Sequence, residues 1–309
     1  MIVDNFKTFH GISVEDFKSS GDIQDLANTA PRVRCDYDDE EMLTDYLDRL
    51  LAEPGSGSIR ALVLGLWIQD GEPVDATPRE AIEFLVSNKS KLPKLEALFV
   101  GDIIGEENEI SWINQCDMSP LWSAFPLLQS FGARGSQGLR LGKIRHEKLS
   151  RLVVETGGMP AAVAREALDA NAPLSHLELW LGVDDYGLTT GMNDLEPLFA
   201  GALFPGLDTL GLRNCLFADE IAVRLATSPV LERISHLDLS LGTLRDEGAE
   251  ALIASNKLGH LKSLDIHHHF VSDEVVARLS AATPNLIADD KQNSDNWDGE
   301  DYYYVSVSE

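Results

Sequence analysis

The stretch Ile234–Leu279, ISHLDLSLGTLRDEGAEALIASNKLGHLKSLDIHHHFVSDEVVARL, is one pattern written almost twice, and it decides the fold. Twenty-seven residues upstream the same pattern begins again. Leu207, Ile234 and Leu261 align; so do Leu210, Leu237 and Leu264, then Leu212, Leu239 and Ile266, then Asp219, Asp246 and Asp273, then Leu225, Leu252 and Leu279. Each unit reads LxxLxL, a turn, an acidic helix start and a short helix with apolar periodicity. That is the leucine-rich repeat, with one strand and one helix per unit.

Working outward, the same strand signature recurs at Ile59–Leu62–Leu64, Leu95–Leu98–Val100, Leu128–Phe131–Ala133, Leu149–Leu152–Val154 and Leu174–Leu177–Leu179. The strand starts are spaced by 36, 33, 21, 25, 33, 27 and 27 residues, so the units are irregular but about eight in number. The expectation is an α/β leucine-rich-repeat solenoid over residues 56–290, a curved horseshoe with an inner parallel β-sheet and helices on its convex side. Residues 1–55 do not carry the repeat. Within them Met42, Leu43, Tyr46, Leu47, Leu50 and Leu51 recur at three and four, which predicts an amphipathic helix capping the open end of the solenoid. Residues 291–309 form an acidic tail in which QNSDNWDGED reads as linker, and the alternation of Tyr302–Val307 predicts a strand added to the edge of the last repeat.

Several runs resemble a known pattern: ALFVGDIIGEENEISWINQCDMSPLW, the HLELWLGVDDYG run from His176, LGLRNC, HLDLSLGTLRDEGAEAL, LDIHHHF and YVSVSE. Together they are similar to an uncharacterised bacterial family of cytoplasmic leucine-rich-repeat proteins, related in repeat style to ribonuclease inhibitor. The resemblance implies an intracellular solenoid with no established enzymatic activity and a scaffold or substrate-recognition role.

Composition narrows the function classes. A formal charge of −26 over 309 residues creates a negative field that repels phosphate backbones and anionic lipid surfaces. Nucleic acid and membrane are therefore poor partners, and a basic or cationic protein is favoured. Cys35, Cys116 and Cys215 are odd in number and lack CxxC spacing, which argues against a disulfide framework or zinc site and fits a reducing cytoplasm. The N-terminus lacks a signal-peptide pattern, and no apolar run is long enough to span a bilayer.

In an LxxLxL strand the leucines point inward, so the third, fifth and seventh positions line the concave face in rows about 4.8 Å apart. The third-position row is Ser130, Arg151, His176, Thr209, His236, Ser263; the fifth is Gly132, Val153, Glu178, Gly211, Asp238, Asp265; the seventh is Arg134, Glu155, Trp180, Arg213, Ser240, His267. Toward the N-terminus these positions become Ala97, Phe99 and Gly101, so the face passes from apolar to ionisable along its length. Glu155, Glu178, Trp180, Arg213, His236, Asp238, Asp265 and His267 are the expected partner-binding residues, with Trp180 and Arg213 as exposed interface anchors.

Asp238 and Asp265 should be neighbours on adjacent strands, where like charges raise one pKa or call for a cation between them. This opens an alternative: a metal-dependent hydrolase or group-transfer site with His236, Asp238, Asp265 and His267 as ligands. No phosphate-cradling loop, GxSxG elbow or HExxH helix accompanies them, so a non-enzymatic module without a cofactor is the leading expectation. His269, at the ninth position, is expected to hydrogen-bond the turn. Cys215, at the equivalent place, is expected to be buried and inert, and Trp112 and Trp122 to pack over the repeat core.

Overall fold

The computed structural model describes residues 2–69 and 75–308. It comprises two compact units, residues 1–154 with 169–173, and residues 155–168 with 174–308. The fold class is the expected α/β leucine-rich repeat, and each unit carries a parallel sheet.

In the first unit, β1 (Thr8–Phe9) is antiparallel to β2 (Ile12–Phe17). From there β3 (Thr29–Val33), β4 (Ala61–Leu64), β5 (Ala97–Val100) and β6 (Ser130–Arg134) each pair parallel with the strand before. The helix expected before residue 55 is present as α1 (Leu43–Ala52), burying Leu43, Tyr46, Leu47, Leu50 and Leu51 on one stripe. Three strands precede it, so the segment read as a cap also contributes to the sheet. Two further helices, α2 (Arg79–Ser87) and α3 (Ser119–Ala124), follow β4 and β5. Trp122 in α3 is buried, donates Nε1–H to the Leu141 carbonyl at 2.7 Å and meets Phe131 edge to face. Trp112 departs from its expected packing role: it is 53% exposed.

The apolar part of the open sheet face, opposite the leucines, is already occupied. Phe9, Ile12 and Val14 pack against Ala30, Ala61 and Ala97. Phe6 stands edge to face on Phe99 with ring centroids 4.6 Å apart. A Cβ on Gly132 would lie 2.4 Å from the Phe99 ring, so only glycine lets that ring lean over the next strand. Asp102, fully buried, accepts the Phe6 backbone N–H at 3.1 Å and pairs with Arg32 Nη1 at 3.1 Å. Arg134 is buried as well and donates to the Ile103 carbonyl at 2.7 Å. The change from apolar to ionisable along the face thus reflects, at its apolar end, a surface covered by the chain's own N-terminal residues.

The division between the units falls within β7 (Arg151–Glu155). In the second unit β8 (His176–Gly182), β9 (Thr209–Cys215), β10 (His236–Asp238), β11 (Ser263–Asp265) and β12 (Leu286–Ile287) are parallel in chain order. The register is the predicted one: His176, Thr209, His236 and Ser263 are neighbours, and Leu177, Leu210, Leu237 and Leu264 stack beneath them. These leucines are at most 1% exposed. Connecting the strands are α4 (Ala161–Leu168), α5 (Met192–Phe199), α6 (Ala218–Thr227), α7 (Asp246–Ala254) and α8 (Asp273–Ala282). In α6 the buried Ala218, Ile221, Ala222 and Leu225 follow the helical period.

The repeated aspartates join successive repeats. Asp219 accepts the backbone N–H groups of Arg245 at 2.8 Å and Gly248 at 3.1 Å, which are unpaired donors at the start of α7. Asp246 accepts a single amide at the equivalent place one repeat later, Ser272 N–H at 2.7 Å, just before α8. Each carboxylate therefore caps the next helix, where the helix dipole favours negative charge. A Cβ on Gly248 would sit 2.7 Å from Asp219 Oδ1, which is why glycine stands there.

The C-terminal tail takes a different course from the one expected. The edge of β11 is filled by β12, and residues 303–308 run instead across the ends of three strands. Asn214, Leu241 and His268, spaced by 27, all adopt left-handed backbone with φ of 50°, 64° and 58°. Asn214 Nδ2 donates to the Val307 carbonyl and its Oδ1 accepts Val307 N–H at 3.0 Å; Ser306 N–H donates to the Leu241 carbonyl at 2.9 Å; His268 Nε2 lies 3.0 Å from the Tyr304 carbonyl. Val305 and Val307 are buried by this strap. QNSDNWDGED, read as linker, includes β13 (Asp295–Trp297) and the start of β14 (Glu300–Tyr302), an antiparallel hairpin.

Asn214→Ala is expected to lower stability by about 2 kcal/mol, because it leaves the buried Val307 N–H without an acceptor. Asn214→Gly should lose nearly as much, although glycine relieves the left-handed backbone. Urea denaturation of both variants checks this; wild-type stability in the glycine variant would assign the cost to the backbone and not to the strap.

Candidate functional site

On the open face of the second unit, the regular register places side chains of alternate positions side by side. Pairing of His236 with Ser263 and of Asp238 with Asp265 puts the two carboxylates on adjacent strands, and Trp180 is opposite Arg213. The sequence-derived rows are therefore real rows.

The seventh and fifth rows are tied together by Arg213. Its Nη1 donates to Glu178 Oε1 at 2.9 Å, its Nε donates to Ser240 Oγ at 2.9 Å, and Nε is 3.2 Å from Asp238 Oδ2. The guanidinium lies over the Trp180 ring, 4.8 Å from its centroid. Trp180 is only 7% exposed and donates Nε1–H to the same Glu178 oxygen at 2.8 Å. This corrects the expectation of an exposed tryptophan anchor: a flat cation covers the indole, combining cation–π attraction with one N–H toward each of two carboxylates. Glu155 and Glu178, at 6% and 9% exposure, are likewise part of the foundation and not of the accessible surface. His176 Nε2 approaches the second Glu178 oxygen at 3.3 Å.

Partly exposed above this layer are Asp238, Asp265, His236 and His267. Asp238 Oδ1 accepts the Ser240 N–H at 2.9 Å. Asp265 Oδ1 accepts the His267 N–H at 2.9 Å and lies 2.8 Å from His267 Nδ1. His236 Nδ1 is 2.7 Å from Ser263 Oγ. The carboxylates differ in electrostatics. Burial pushes the Asp238 carboxyl above its ordinary value, and the nearby Arg213 only partly offsets this. Burial pushes Asp265 upward too, but the hydrogen bonds from the His267 ring and backbone outweigh it and hold Asp265 below its ordinary value. His267 is raised chiefly by its bond to Asp265. Arg213 is desolvated, yet the charges of Asp238 and Glu178 hold its proton more firmly than in water. The two like charges thus separate in pKa, and Arg213 is the cation beside them.

His236, Asp238, Asp265 and His267, the alternative metal ligands, are neighbours that do not converge. His236 Nδ1 is engaged with Ser263, Asp238 with Arg213 and Ser240, and Asp265 Oδ1 with His267, and among the described residues no group of three or more His, Cys, Asp or Glu side chains is placed to hold a metal ion. His269 bonds as a turn residue, with Nδ1 accepting Val271 N–H at 3.0 Å and Nε2 near the Ala288 carbonyl at 3.1 Å; burial lowers its pKa. The thiols of Cys35 and Cys116 are pushed by burial up to about 12, and that of Cys215 is raised as well. Sequence reading missed Ser240 as the hydroxyl that orients Arg213. Its signal was its place in the seventh row between Arg213 and His267.

The His267–Asp265 pair sets a pH dependence. The histidine has a raised folded pKa, so its contribution is complete below the ordinary value of 6.5 and is lost as pH rises through the folded value. The aspartate is depressed, so its contribution is complete above 3.8 and is lost as pH falls through its lowered value. His267→Gln should therefore cost about 1 kcal/mol near pH 5 and markedly less at pH 8. Urea titrations at the two pH values check this, and an equal loss at both would remove the ion pair. Trp180→Ala should cost about 3–5 kcal/mol, since it leaves a cavity beneath Arg213.

No protein-family model matches the chain, and no curated protein does. Among solved structures, an internalin of Listeria monocytogenes aligns with 14% identity, a TM-score of 0.35 and coverage of 84% of this chain and 71% of that one, too distant to carry an argument. The crystal structure of a Bacteroides fragilis protein superposes with a TM-score of 0.79 and 31% identity, covering 90% of this chain and 76% of that one. At that identity and coverage the chain belongs to the same family as the Bacteroides fragilis protein.

Proposed function

We propose that the protein is a non-enzymatic binding module that holds another protein on the open sheet face of its second unit. The observation that carries the reading is the network in which Glu178, Trp180 and Ser240 hold Arg213 while Asp238, Asp265, His236 and His267 remain partly exposed on successive strands. A surface of charged groups held in place by a buried layer binds at low ordering cost, because its side chains are fixed before the partner arrives.

The partly exposed Asp238 and Asp265 stand on adjacent strands, within a chain of net charge −26. The partner is accordingly a protein with a basic surface, steered by the long-range field and given register by the rows. Three buried, unpaired cysteines support placement in a reducing compartment such as the cytoplasm. Among the described residues no helix is long and apolar enough to cross a membrane.

The test is affinity capture from native extract followed by quantification of each partner. Asp238→Asn with Asp265→Asn removes charge from the partly exposed layer and leaves Trp180 covered, so it is a cleaner probe than truncating the buried indole. Expected is loss of at least one specific partner, with affinity reduced about tenfold or more. Identical partner lists with equal recovery would reject the open face as the binding surface.

A further inference from the structure

The chain repeatedly uses one constellation to hold its own arginines. Arg213 lies over Trp180 at 4.8 Å with Glu178 and Asp238 as its carboxylates, and Arg245 lies over Tyr303 at 4.9 Å with Asp219 Oδ2 2.7 Å from its Nε. In each case an aromatic face takes the flat side of the guanidinium and a carboxylate takes its N–H edge, the two recognition modes that distinguish arginine from lysine.

Another set of the same groups stands on the β13–β14 hairpin. The register pairs Asp295 with Tyr302 and Trp297 with Glu300, so these four side chains share one face of the ribbon, while Asn296 and Asp301 share the other. Trp297 is 73% exposed and Tyr302 42%. Among the described residues, no arginine or lysine of the chain stacks on either ring or pairs with Asp295 or Glu300.

An isolated two-stranded hairpin is marginal in water, and apolar rings on it gain nothing from a core they do not reach. This one is held at both feet. On one side Gln292 N–H donates to the His269 carbonyl at 2.7 Å; on the other Tyr303 packs edge to face on Phe270 at 5.0 Å and the strap follows. The turn is Asp298–Gly299, both with positive φ, as a tight hairpin of this twist requires. The ribbon is thus anchored at its base, with its aromatic and acidic side chains exposed.

We propose that this face is a second docking surface, distinct from the open sheet face and independent of its reading, and that its occupant is an arginine-bearing peptide segment of a partner protein. Charge complementarity selects the occupant: the carboxylates repel acidic segments and a second copy of the same hairpin, and the rings favour guanidinium over ammonium.

The test is fluorescence anisotropy of a fluorescein-labelled peptide of alternating arginine and glycine, with a lysine–glycine peptide for comparison, on the full chain. The arginine peptide should bind the wild type more tightly than the lysine peptide. Trp297→Ala with Tyr302→Ala leaves net charge unchanged and should weaken arginine-peptide binding about tenfold; Asp295→Asn with Glu300→Gln should do likewise. Both rings are exposed, so these variants keep the core, and Trp297→Ala alone should show part of the loss. The Asp238→Asn, Asp265→Asn protein should bind the peptide as the wild type does. Equal affinity for wild type and the aromatic variant, or no binding by the wild type, would overturn the proposal. So would loss confined to the Asp238, Asp265 variant, which would assign the peptide to the open sheet face.

Discussion

The structure depends on one constraint, the in-register stacking of leucines on the buried side of the parallel sheet. Leu210, Leu237 and Leu264 stack strand on strand, as do the side chains two residues on. Side chains alternate across a sheet, so slipping one strand by a single residue would expose its leucines and bury its charges. The register is therefore held by the hydrophobic effect, at roughly 1.5–3 kcal/mol for each fully buried leucine. Everything polar on the opposite face inherits its position from that burial.

Charge on such a face has to be arranged as well as placed. Asp238 and Asp265 stand side by side because their strands are in register, and water alone would not keep both ionised so close together in a partly buried setting. Arg213 partly offsets the burial of Asp238, and His267 more than offsets that of Asp265. Trp180 and Glu178 then fix the arginine from below, so a residue type associated with exposed anchors becomes a platform. On the helical side the same 27-residue period gives Asp219 and Asp246 backbone amides at the start of the next helix, coupling repeats through polar bonds as well as packing.

Both ends of the chain fold back onto repeats. In the first unit Phe6 and Phe9 cover the apolar open face, with Asp102 taking the Phe6 amide. In the second the tail crosses Asn214, Leu241 and His268 at equivalent positions. A repeat unit leaves backbone groups and apolar surface unsatisfied wherever the pattern turns, and these terminal segments supply the missing partners.

The repeat period, the repeat strands from Ile59 to Ile266, their register and the identity of each row were legible in the sequence, because leucine spacing reports directly which side of a strand is buried; the strands of residues 8–33 carry no such spacing and were not. The adjacency of Asp238 and Asp265 followed from that register, whereas the raised Asp238 carboxyl owes more to burial than to its neighbour's charge. Tertiary structure alone decided who covers whom. Nothing local reveals that Arg213 lies flat on Trp180, since side-chain direction depends on the neighbouring strand and on Ser240 beyond it. The course of residues 303–308 was hidden for a similar reason: alternation marks an extended segment but does not name its partner, which turned out to be a set of left-handed residues spaced 27 apart instead of a free strand edge. The Asp298–Gly299 hairpin did carry a local signal in its turn residues, obscured by the polar composition around it. Local chemistry determined the repeat, and long-range packing decided which of its polar side chains remain available to a partner.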